Sequence, residues 1–335
     1  MSISAYVRAM GRGPGRARSL ERAEAADAMR QILDGTADPH AVGALFMLMR
    51  YRGESAEEIA GFVEAMRARL QPWQEVGVAL DWPSYAAGRS RGLPWFLLSA
   101  RVVAAAGVPV LLHGWNGEGQ GIACVRSALA DAGIRVAETP AAARRLLAHE
   151  GIAYAPLEAL DGRLIELLRL REVLGLRSPV NSCLRGLNPA GARAAVQGVF
   201  HPTFRALQRD AAALLGQPDL AVIKGGGGEF ERHPGKRISV FGLRGGTPVE
   251  AEAPARLGLT ARLAEITAEG ADLASVLAGG VADPEVEEII IGTAGLALRT
   301  AGVAADLDAA EVLAAMIWAE LRGKGGGAGQ ARRVA

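Results

Sequence analysis

The sequence predicts an α/β protein with a small N-terminal helical subdomain and a large α/β domain that contains a mainly parallel central sheet. Three observations favour this fold class. Apolar residues recur at helical spacing through the first seventy residues. From Val76 onward, short β-rich runs alternate with segments rich in Ala and Leu, which is typical of βα units. Half of the 335 residues are hydrophobic, so one large core or two cores can be buried.

The N-terminal segment is predicted to contain three helices. Ser19 is placed to cap a helix that ends at Gly35. Asp38, followed by proline, begins the second helix, because proline is favoured at the first helical position. Ser55 and Glu58 have the spacing of a capping box, which predicts the start of the third helix.

The composition divides the chain into four parts. Residues 1–18 are rich in arginine and are expected to form a basic N-terminal arm. Residues 19–72 are expected to form the helical subdomain, and residues 73–322 the α/β domain. Part of the helical subdomain is expected to return near residues 161–190. Residues 323–335 are expected to be a flexible, Gly-rich basic tail.

The predicted helices that contain Leu20 and Ile59 each carry an apolar stripe. In the third helix the stripe includes Phe62 and Met66. These stripes exceed what three short helices are expected to bury among themselves. We therefore expect a homodimer that forms through the helical subdomain.

Five β-rich runs predict the strands of the sheet: GVALDW, VPVLLHG, AVQGVFH, LAVIKGG and RISVFGL. Helical periodicity resumes near the C-terminus over residues 257–277, 283–299 and 308–322. We find no internal repeat, so a repeat architecture is not expected.

Several classes of protein are not expected. Cys124 and Cys183 provide no disulfide framework and lie in no zinc-ligand pattern, which favours a reducing cytoplasm. The first nineteen residues lack the apolar region of a signal peptide. The longest apolar stretch, residues 93–113, is interrupted by polar residues, glycine and proline, so no membrane span is expected. The formal net charge of +1 does not by itself indicate a polyanionic partner.

The distribution of charge is more informative than its sum. Lys224 is followed by four glycines directly after a predicted strand, an arrangement that can hold a phosphate or can be an ordinary structural turn. Arg205 and Arg209 are four residues apart and therefore share one face of a predicted helix, which suits successive phosphates or a solvated surface equally.

Residues 174–189, LGLRSPVNSCLRGLNP, resemble the anthranilate-contacting segment of anthranilate phosphoribosyltransferases, Leu-Gly-x-Arg-(x)3-Asn-(x)6-Asn-Pro. RYRGESAEEIAG is similar to that family's N-terminal helical signature, AAAGVPVLLHG to its strand and His-Gly turn, and LAVIKGGGGEFE to its magnesium-holding loop. The resemblance covers most of the chain and implies a nucleoside phosphorylase/phosphoribosyltransferase-like fold. The matching residues would form a relic of the substrate site: Asp81, His113, Arg177, Asn181, Gly225, Gly228 and Glu231.

The sequence also departs from the family pattern. The family's D-x-x-G-T-G-G-D loop for phosphoribosyl pyrophosphate keeps only Asp81, and residues 84–88 read SYAAG. Phe230 falls where the family has one of two adjacent acids that hold magnesium. A lone carboxylate beside phenylalanine is a poor octahedral magnesium site. We therefore predict no metal site, no cofactor and no catalytic residue.

These departures look like those of the YbiB branch of the same superfamily, whose members are homodimeric DNA-binding proteins. The resemblance implies a non-enzymatic protein that binds the phosphate backbone of single- or double-stranded DNA, or of RNA, with little sequence preference. The basic residues expected to bind it are Arg89, Arg91, Arg185, Arg205, Arg209, Lys224, Lys236 and Arg237. Two alternatives stay open: an active phosphoribosyl or glycosyl transferase with an unrecognised acceptor, and a regulator that binds a small molecule.

Overall fold

A computed structural model of the chain describes residues 2–13, 15–85, 92–115, 124–259, 261–266 and 272–331. In chain order the helices are α1 (Ile3–Gly11), α2 (Arg22–Leu33), α3 (Pro39–Arg52), α4 (Ala56–Arg67), α5 (Phe96–Ala105), α6 (Val125–Ala128), α7 (Pro140–Glu150), α8 (Leu157–Leu160), α9 (Gly162–Leu174), α10 (Val180–Cys183), α11 (Phe204–Leu214), α12 (Leu273–Leu277), α13 (Pro284–Thr300) and α14 (Leu307–Ala331). The strands are β1 (Leu80–Ser84), β2 (Val110–Gly114), β3 (Ile152–Pro156), β4 (Ala194–Val199), β5 (Asp219–Lys224), β6 (Ile238–Arg244) and β7 (Thr247–Ala253).

The seven strands form one sheet in the order β3-β2-β1-β4-β5-β6-β7. Strands β1 to β5 are parallel, whereas β6 and β7 form an antiparallel hairpin at one edge. The prediction of a small helical domain and a mainly parallel sheet is therefore confirmed. The strand order reverses between β1 and β4, and in such sheets the carboxyl ends of the two strands at the reversal bound a crevice. This topology determines where a ligand site can form.

Helix caps define the ends of the N-terminal helices. Asp38 accepts hydrogen bonds from the backbone N–H groups of His40 and Ala41, as its position before proline predicts. Ser55 and Glu58 form the predicted capping box. Glu58 is fully buried and also accepts a hydrogen bond from the Leu20 N–H at 2.9 Å. One carboxylate therefore fixes both the start of α4 and the chain that enters α2.

The predicted basic arm over residues 1–18 is corrected by the structure, because residues 3–11 form helix α1. Its buried face contains Ile3, Tyr6 and Met10, and the Tyr6 hydroxyl donates to the Asp27 carboxylate at 2.5 Å. Although this segment is rich in arginine, its apolar residues recur with the helical period. The segment is thus part of the helical domain's core.

The apolar stripe of α4 is buried within the chain. Ile59, Phe62, Val63 and Met66 are fully buried because α4 packs against α2 on one side and against α10 and α11 on the other. The stripe was expected to form a dimer interface, but that expectation allowed for too few helices to cover it. Helices α9 and α10 contribute Leu164, Leu167 and Val180 to the same core cluster.

Two strands and one helix differ from the predicted elements. Strands β3 and β7 were not predicted, because β3 is a five-residue run and β7 is an exposed edge strand with alternating glutamate. The helix predicted over residues 257–277 is wrong: the described part of this segment contains a single turn at Leu263–Glu265 and the short α12. Helix α14 continues to Ala331, so the chain is helical for nine residues beyond the predicted end of the fold.

The C-terminal helices α13 and α14 cover one face of the sheet and are joined to it by buried charges. Arg232 is completely buried, donates to the Pro254 carbonyl oxygen at 2.6 Å and pairs with Glu311 of α14. Arg256 pairs with the same Glu311 and with Glu288 of α13. Burial lowers the pKa of the Arg232 guanidinium to about 10, with a further contribution from Arg256. Among the described helices, none combines the length and apolarity needed to cross a membrane.

Candidate functional site

A cleft of about 360 Å³ lies between the helical domain and the carboxyl ends of β4 and β5. Its walls come from the end of α3, the turn between α9 and α10, the segment after β4 and the glycine loop after β5. This is the side of the sheet on which the reversal of strand order predicts a crevice. The residues that line the cleft include Arg50, Glu54, Arg177, Ser178, Asn181, Arg185 and Phe200.

Positive charge converges on this cleft. Partial burial lowers the pKa of the Arg177 guanidinium, and the nearby positive charges of Arg171 and Arg50 act in the same direction. Arg185 is buried and donates to the Gly198 carbonyl oxygen at 2.9 Å. Burial lowers its pKa, while the Glu229 carboxylate opposes that shift. An anionic ligand would be stabilised here, since it would offset the cost of bringing these cations together.

Two buried polar atoms in the cleft wall have no hydrogen-bond partner among the described residues: Asn181 Oδ1 and Ser178 Oγ. Asn181 is 8% exposed and Ser178 is 2% exposed. A buried polar group without a partner costs about 1–3 kcal/mol, so native proteins keep few of them. A ligand N–H or O–H group would satisfy the Asn181 oxygen.

Glu54 supplies the cleft with a carboxyl group. Burial raises its pKa above the ordinary 4.5, and the Glu58 carboxylate adds to that shift, whereas Arg50 and a backbone hydrogen bond oppose it. Protonation of Glu54 removes the negative charge from this wall. The cleft therefore becomes more attractive to an anion at lower pH.

Asp81 and His113, both predicted site residues, are brought together at the ends of β1 and β2. His113 Nε2 lies 3.1 Å from Asp81 Oδ1, and His113 Nδ1 lies 2.8 Å from the Tyr85 hydroxyl. Of these contacts, the one between Tyr85 and Nδ1 is a hydrogen bond, whereas His113 Nε2 and Asp81 Oδ1 lie close together without hydrogen-bond geometry. Burial raises the pKa of Tyr85 well above its ordinary value, which keeps the hydroxyl protonated. All three side chains are buried outside the cleft wall, so they support the strand ends.

The glycine loop after β5 folds closely on itself. A Cβ atom at Gly225 would lie 1.7 Å from the Glu229 carbonyl oxygen, and Gly228 has a φ of +94° that favours glycine. The Gly226 and Gly228 N–H groups donate to carbonyl oxygens of the same loop. The predicted anion nest is therefore partly used by the loop itself. Lys224 is exposed at the end of β5.

The acidic residues of this loop do not fit a magnesium site. Glu229 Oε1 accepts from the Ser84 hydroxyl at 3.0 Å, and Glu231 Oε2 accepts from the Phe96 N–H at 3.0 Å. Both carboxylates are buried and neither lines the cleft. Phe230 is also buried, with its ring 5.5 Å from that of Trp82. Mg²⁺ requires near-octahedral oxygen ligands and retains several waters, which this packing does not admit.

The structure gives the described members of the predicted phosphate-binding set individual contacts. Arg205 and Arg209 share a helix face as expected, but their guanidinium groups lie 4.7 and 5.5 Å from the centre of the Phe241 ring in β6. Arg209 also pairs with Glu250 of β7 at 2.7 Å. Arg237 pairs with Glu252 at 3.0 Å, and Lys236 is exposed. Arg89 and Arg91 lie outside the described residues.

Arg185, Arg177 and Asn181 are the predicted site residues that line the cleft within the described ranges. Sequence reasoning missed Arg50, Glu54, Ser178 and Phe200. Arg50 and Glu54 bracket the RYRGE run, and Ser178 follows Arg177, so their positions beside recognised motifs were the available signal. Phe200 is 53% exposed at the cleft, with its ring 4.9 Å from that of His201, and its exposed surface is available for contact with a planar ligand.

Comparison with known proteins identifies the family. A family model described as "Glycosyl transferase family, helical bundle domain" matches residues 5–70. The anthranilate phosphoribosyltransferase of Anaeromyxobacter sp. (strain Fw109-5) is 33% identical over 304 residues, covering 86% of this chain and 87% of the relative. That of Rhizobium meliloti (strain 1021) is 30% identical over 304 residues, covering 88% and 89%. The chain belongs to the anthranilate phosphoribosyltransferase family.

Solved structures of anthranilate phosphoribosyltransferases share the fold. The enzyme from Thermus thermophilus superposes with a TM-score of 0.77 at 24% identity, covering 96% of this chain and 95% of that one. The Saccharomyces cerevisiae enzyme in complex with PRPP and Mg has a TM-score of 0.74 at 16% identity, covering 96% and 94%.

Membership of the anthranilate phosphoribosyltransferase family corrects the predicted function. The sequence departures led us to expect a non-enzymatic DNA-binding protein, and that expectation is wrong, because relatives that share about a third of the aligned residues are named for an enzyme. The description of the chain as a DNA-binding pseudoenzyme is withdrawn for the same reason.

Proposed function

We propose that this chain is a transferase that moves a phosphorylated ribosyl or related glycosyl group onto a small acceptor bound in the cleft. The proposal rests on the composition of the cleft wall. The cations Arg50 and Arg177 line it together with Asn181, whose Oδ1 has no hydrogen-bond partner among the described residues. Support also comes from the named activity of relatives with 30–33% identity. The acceptor class is a small planar acid that also carries an N–H or O–H group.

The proposed roles follow from the chemistry of the cleft wall. Arg177 orients the acid group of the acceptor, since a guanidinium binds a carboxylate through two parallel hydrogen bonds. Asn181 Oδ1 accepts the N–H or O–H proton of the acceptor and so directs its lone pair. Phe200 supplies an exposed ring beside which a planar ligand can pack.

In the transfer step the acceptor lone pair forms a bond to the anomeric carbon of the sugar. The bond between that carbon and the pyrophosphate oxygen breaks, and its electron pair leaves with pyrophosphate. The proton of the acceptor passes to water. Holding acceptor and donor in one cleft lowers the barrier chiefly by orientation.

Pyrophosphate release tests this function. The full chain is incubated with phosphoribosyl pyrophosphate, with and without Mg²⁺, and with anthranilate or related amino and hydroxy aromatic acids. We expect Arg177→Ala to lower kcat/KM roughly 10- to 100-fold, as removal of a charged hydrogen bond does. Arg169→Ala is the matched control, because Arg169 lies on α9 with its guanidinium 3.4 Å from exposed Glu172. Absence of acceptor-dependent release across the panel contradicts the proposal.

A second function, ligand binding without transfer, is favoured by one observation. The carboxylates of the glycine loop are engaged by Ser84 and Phe96 and lie away from the cleft. Calorimetric titration with the same aromatic acids distinguishes the two functions. A regulator would bind an acid and release no pyrophosphate, whereas a transferase would do both.

We also propose a homodimer, through a different surface from the buried α4 stripe. Tyr51 and Val173 are 91% and 82% exposed, and Leu176 is 56% exposed. Helices α3 and α9 adjoin, since a Cβ atom on Gly43 would lie 3.8 Å from Leu174. Light scattering should show that Val173→Asp produces monomers, whereas Val312→Asp on exposed α14 does not. A monomeric wild-type chain would contradict this assembly.

A further inference from the structure

Glu229 and Glu231 of the glycine loop are two buried acids that the proposed transfer step does not use. They are 1% and 0% exposed, and between them Phe230 fills the core against Trp82. An uncompensated carboxylate in such a place is strongly unfavourable, so each requires a defined partner. Their partners connect the loop to two other elements of the sheet domain.

Glu231 lies at the N-terminus of α5. Its Oε2 accepts from the N–H of Phe96, the first residue of that ten-residue helix. The first N–H groups of a helix have no partner within it, and the helix dipole favours negative charge there. Gly226 and Leu263 enclose the other side: a Cβ atom on Gly226 would lie 2.6 Å from Glu231 Oε1 and 2.6 Å from Leu263. On this side the described residues therefore pack closely around the carboxylate.

Glu229 connects the same loop to the end of β1. Its Oε1 accepts from Ser84, the last residue of the strand, at 3.0 Å. Gly198 of β4 packs against its backbone, since a Cβ atom there would lie 2.0 Å from the Glu229 carbonyl carbon. Arg185, which lines the cleft, supplies positive charge near this carboxylate. The two acids therefore fasten the loop between β1, β4 and α5.

We propose that Glu229 and Glu231 are internal anchors that take the place of a divalent cation, and that a phosphorylated donor binds in the cleft without one. The first part depends only on the geometry of the loop. The second part rests on the proposed transferase function. Oε2 is engaged by the Phe96 N–H, and a cation at Oε1 would have to displace Gly226 and Leu263, which pack tightly there. The octahedral shell and retained waters of Mg²⁺ need more space than this packing leaves.

Two measurements on the full chain test the proposal. Electron paramagnetic resonance with Mn²⁺, a substitute for Mg²⁺, reports directly on cation binding to the protein without ligand. We expect no bound Mn²⁺ at millimolar concentration. Calorimetric titration with phosphoribosyl pyrophosphate compares EDTA with Mg²⁺, and we expect the two dissociation constants to agree within about threefold.

The Glu231→Gln variant tests whether Glu231 acts as an internal anchor or as a metal ligand. The amide oxygen still accepts from Phe96, but the charge that favours the helix N-terminus is lost. For an anchor, the Tm falls by roughly a few degrees and the Mn²⁺ spectrum does not change. For a metal ligand, bound Mn²⁺ would be seen in the wild-type chain and lost in the variant. Glu252→Gln on the exposed strand β7 is the matched control and should leave the Tm unchanged.

The outcomes distinguish this proposal from the transferase function. If Mn²⁺ binds to the wild-type chain and this binding is lost in Glu231→Gln, the proposal that the two acids are internal anchors is wrong, even if pyrophosphate is released. Donor binding that rises more than about tenfold with Mg²⁺, or that is undetectable in both buffers, overturns metal-free donor binding. Absence of pyrophosphate release with unchanged donor binding in EDTA overturns the transferase and supports both parts of the inference.

Discussion

The crevice has two walls that can be compared: the segment that joins α9 to α10, and the glycine loop after β5. The polar side chains of these two segments differ in the hydrogen bonds that they make. Ser178 in the turn and Asn181 in α10 line the cleft, and each has a buried oxygen atom without a hydrogen-bond partner among the described residues. Glu229 and Glu231, in the loop, direct carboxylates into the protein, where Ser84 and Phe96 donate to them. The first wall borders the cleft, whereas the acids of the loop are directed at β1 and α5.

This difference indicates which part of the fold is less stable in a way that favours ligand binding. An unpartnered buried oxygen lowers the free energy of unfolding unless a ligand satisfies it. A satisfied carboxylate at a helix N-terminus contributes to that free energy. Substitutions in the first wall should therefore change binding more than stability, and substitutions in the glycine loop should do the reverse.

The largest effect is expected where the glycine loop joins the C-terminal helices. Arg232→Met removes one member of a buried charge cluster and leaves Glu311 with less compensation. We expect the free energy of unfolding to fall by about 3–5 kcal/mol, which is typical of breaking a buried pair from one side. Urea denaturation measures it. Arg237→Ala breaks an exposed pair with Glu252 and should change the value by less than about 1 kcal/mol. Equal effects in the two variants would show that burial of Arg232 is unimportant.

Tyr85→Phe should have the next largest effect. The substitution leaves the buried His113 Nδ1 without its hydrogen-bond partner at 2.8 Å. We expect a loss of about 1–3 kcal/mol in the free energy of unfolding and no change in acceptor affinity. Tyr51→Phe is the control, since Tyr51 is 91% exposed. A large loss of acceptor affinity in Tyr85→Phe would place Tyr85 in the binding machinery and blur the distinction between the two walls.

Asn181→Ala tests the first wall. It removes the oxygen that the acceptor N–H or O–H group is proposed to satisfy. We expect acceptor affinity to fall about tenfold, while the free energy of unfolding changes by less than about 1 kcal/mol. Titration calorimetry measures the acceptor affinity, and urea denaturation of the same variant measures the free energy of unfolding. Destabilisation with unchanged affinity would mean that Asn181 is structural.

The smallest effect is expected from the pH dependence of Glu54. Because its pKa is raised above the ordinary 4.5, the carboxyl keeps its proton to a higher pH and then adds negative charge to the cleft. Affinity for an ionised aromatic acid should therefore decrease as the pH rises through the raised pKa of Glu54, by less than about tenfold. Glu54→Gln should remove this part of the dependence, and Glu57→Gln on the exposed face of α4 should not. Parallel pH profiles for wild type and Glu54→Gln would exclude a role for this carboxyl.

The sequence predicted elements that depend on local chemistry. Asp38 before proline and the Ser55–Glu58 pair start helices where expected, and the apolar runs of β1, β2, β4, β5 and β6 form strands. Strand β7 was missed because it is an exposed edge strand in which small apolar residues alternate with glutamate, a weak signal for a strand. Helix α2 begins after Glu21 instead of Ser19, since Glu21 and Glu24 cap it reciprocally.

The surroundings of the predicted site residues depend on distant packing, which the sequence alone could not show. The spacing of Arg205 and Arg209 correctly put them on one helix face, but it could not show that Phe241 lies opposite. Arg177 and Asn181 were recognised from a motif and do line the cleft, whereas Arg50 and Glu54 reach it from another domain. Glu229 was missed because its partner Ser84 belongs to a strand far away in sequence.

The register between β1 and β4 has a consequence for synthesis. Leu80 pairs with Ala194, so the centre of the sheet cannot close until the chain has been made well past its midpoint. Contacts of such large sequence separation slow folding, and domains generally fold as units while the ribosome advances. The nascent chain therefore emerges with β1 lacking its neighbour β4, and the cleft is among the last features to assemble. Pausing of translation before residue 194 would prolong the exposure of this apolar strand edge and favour aggregation.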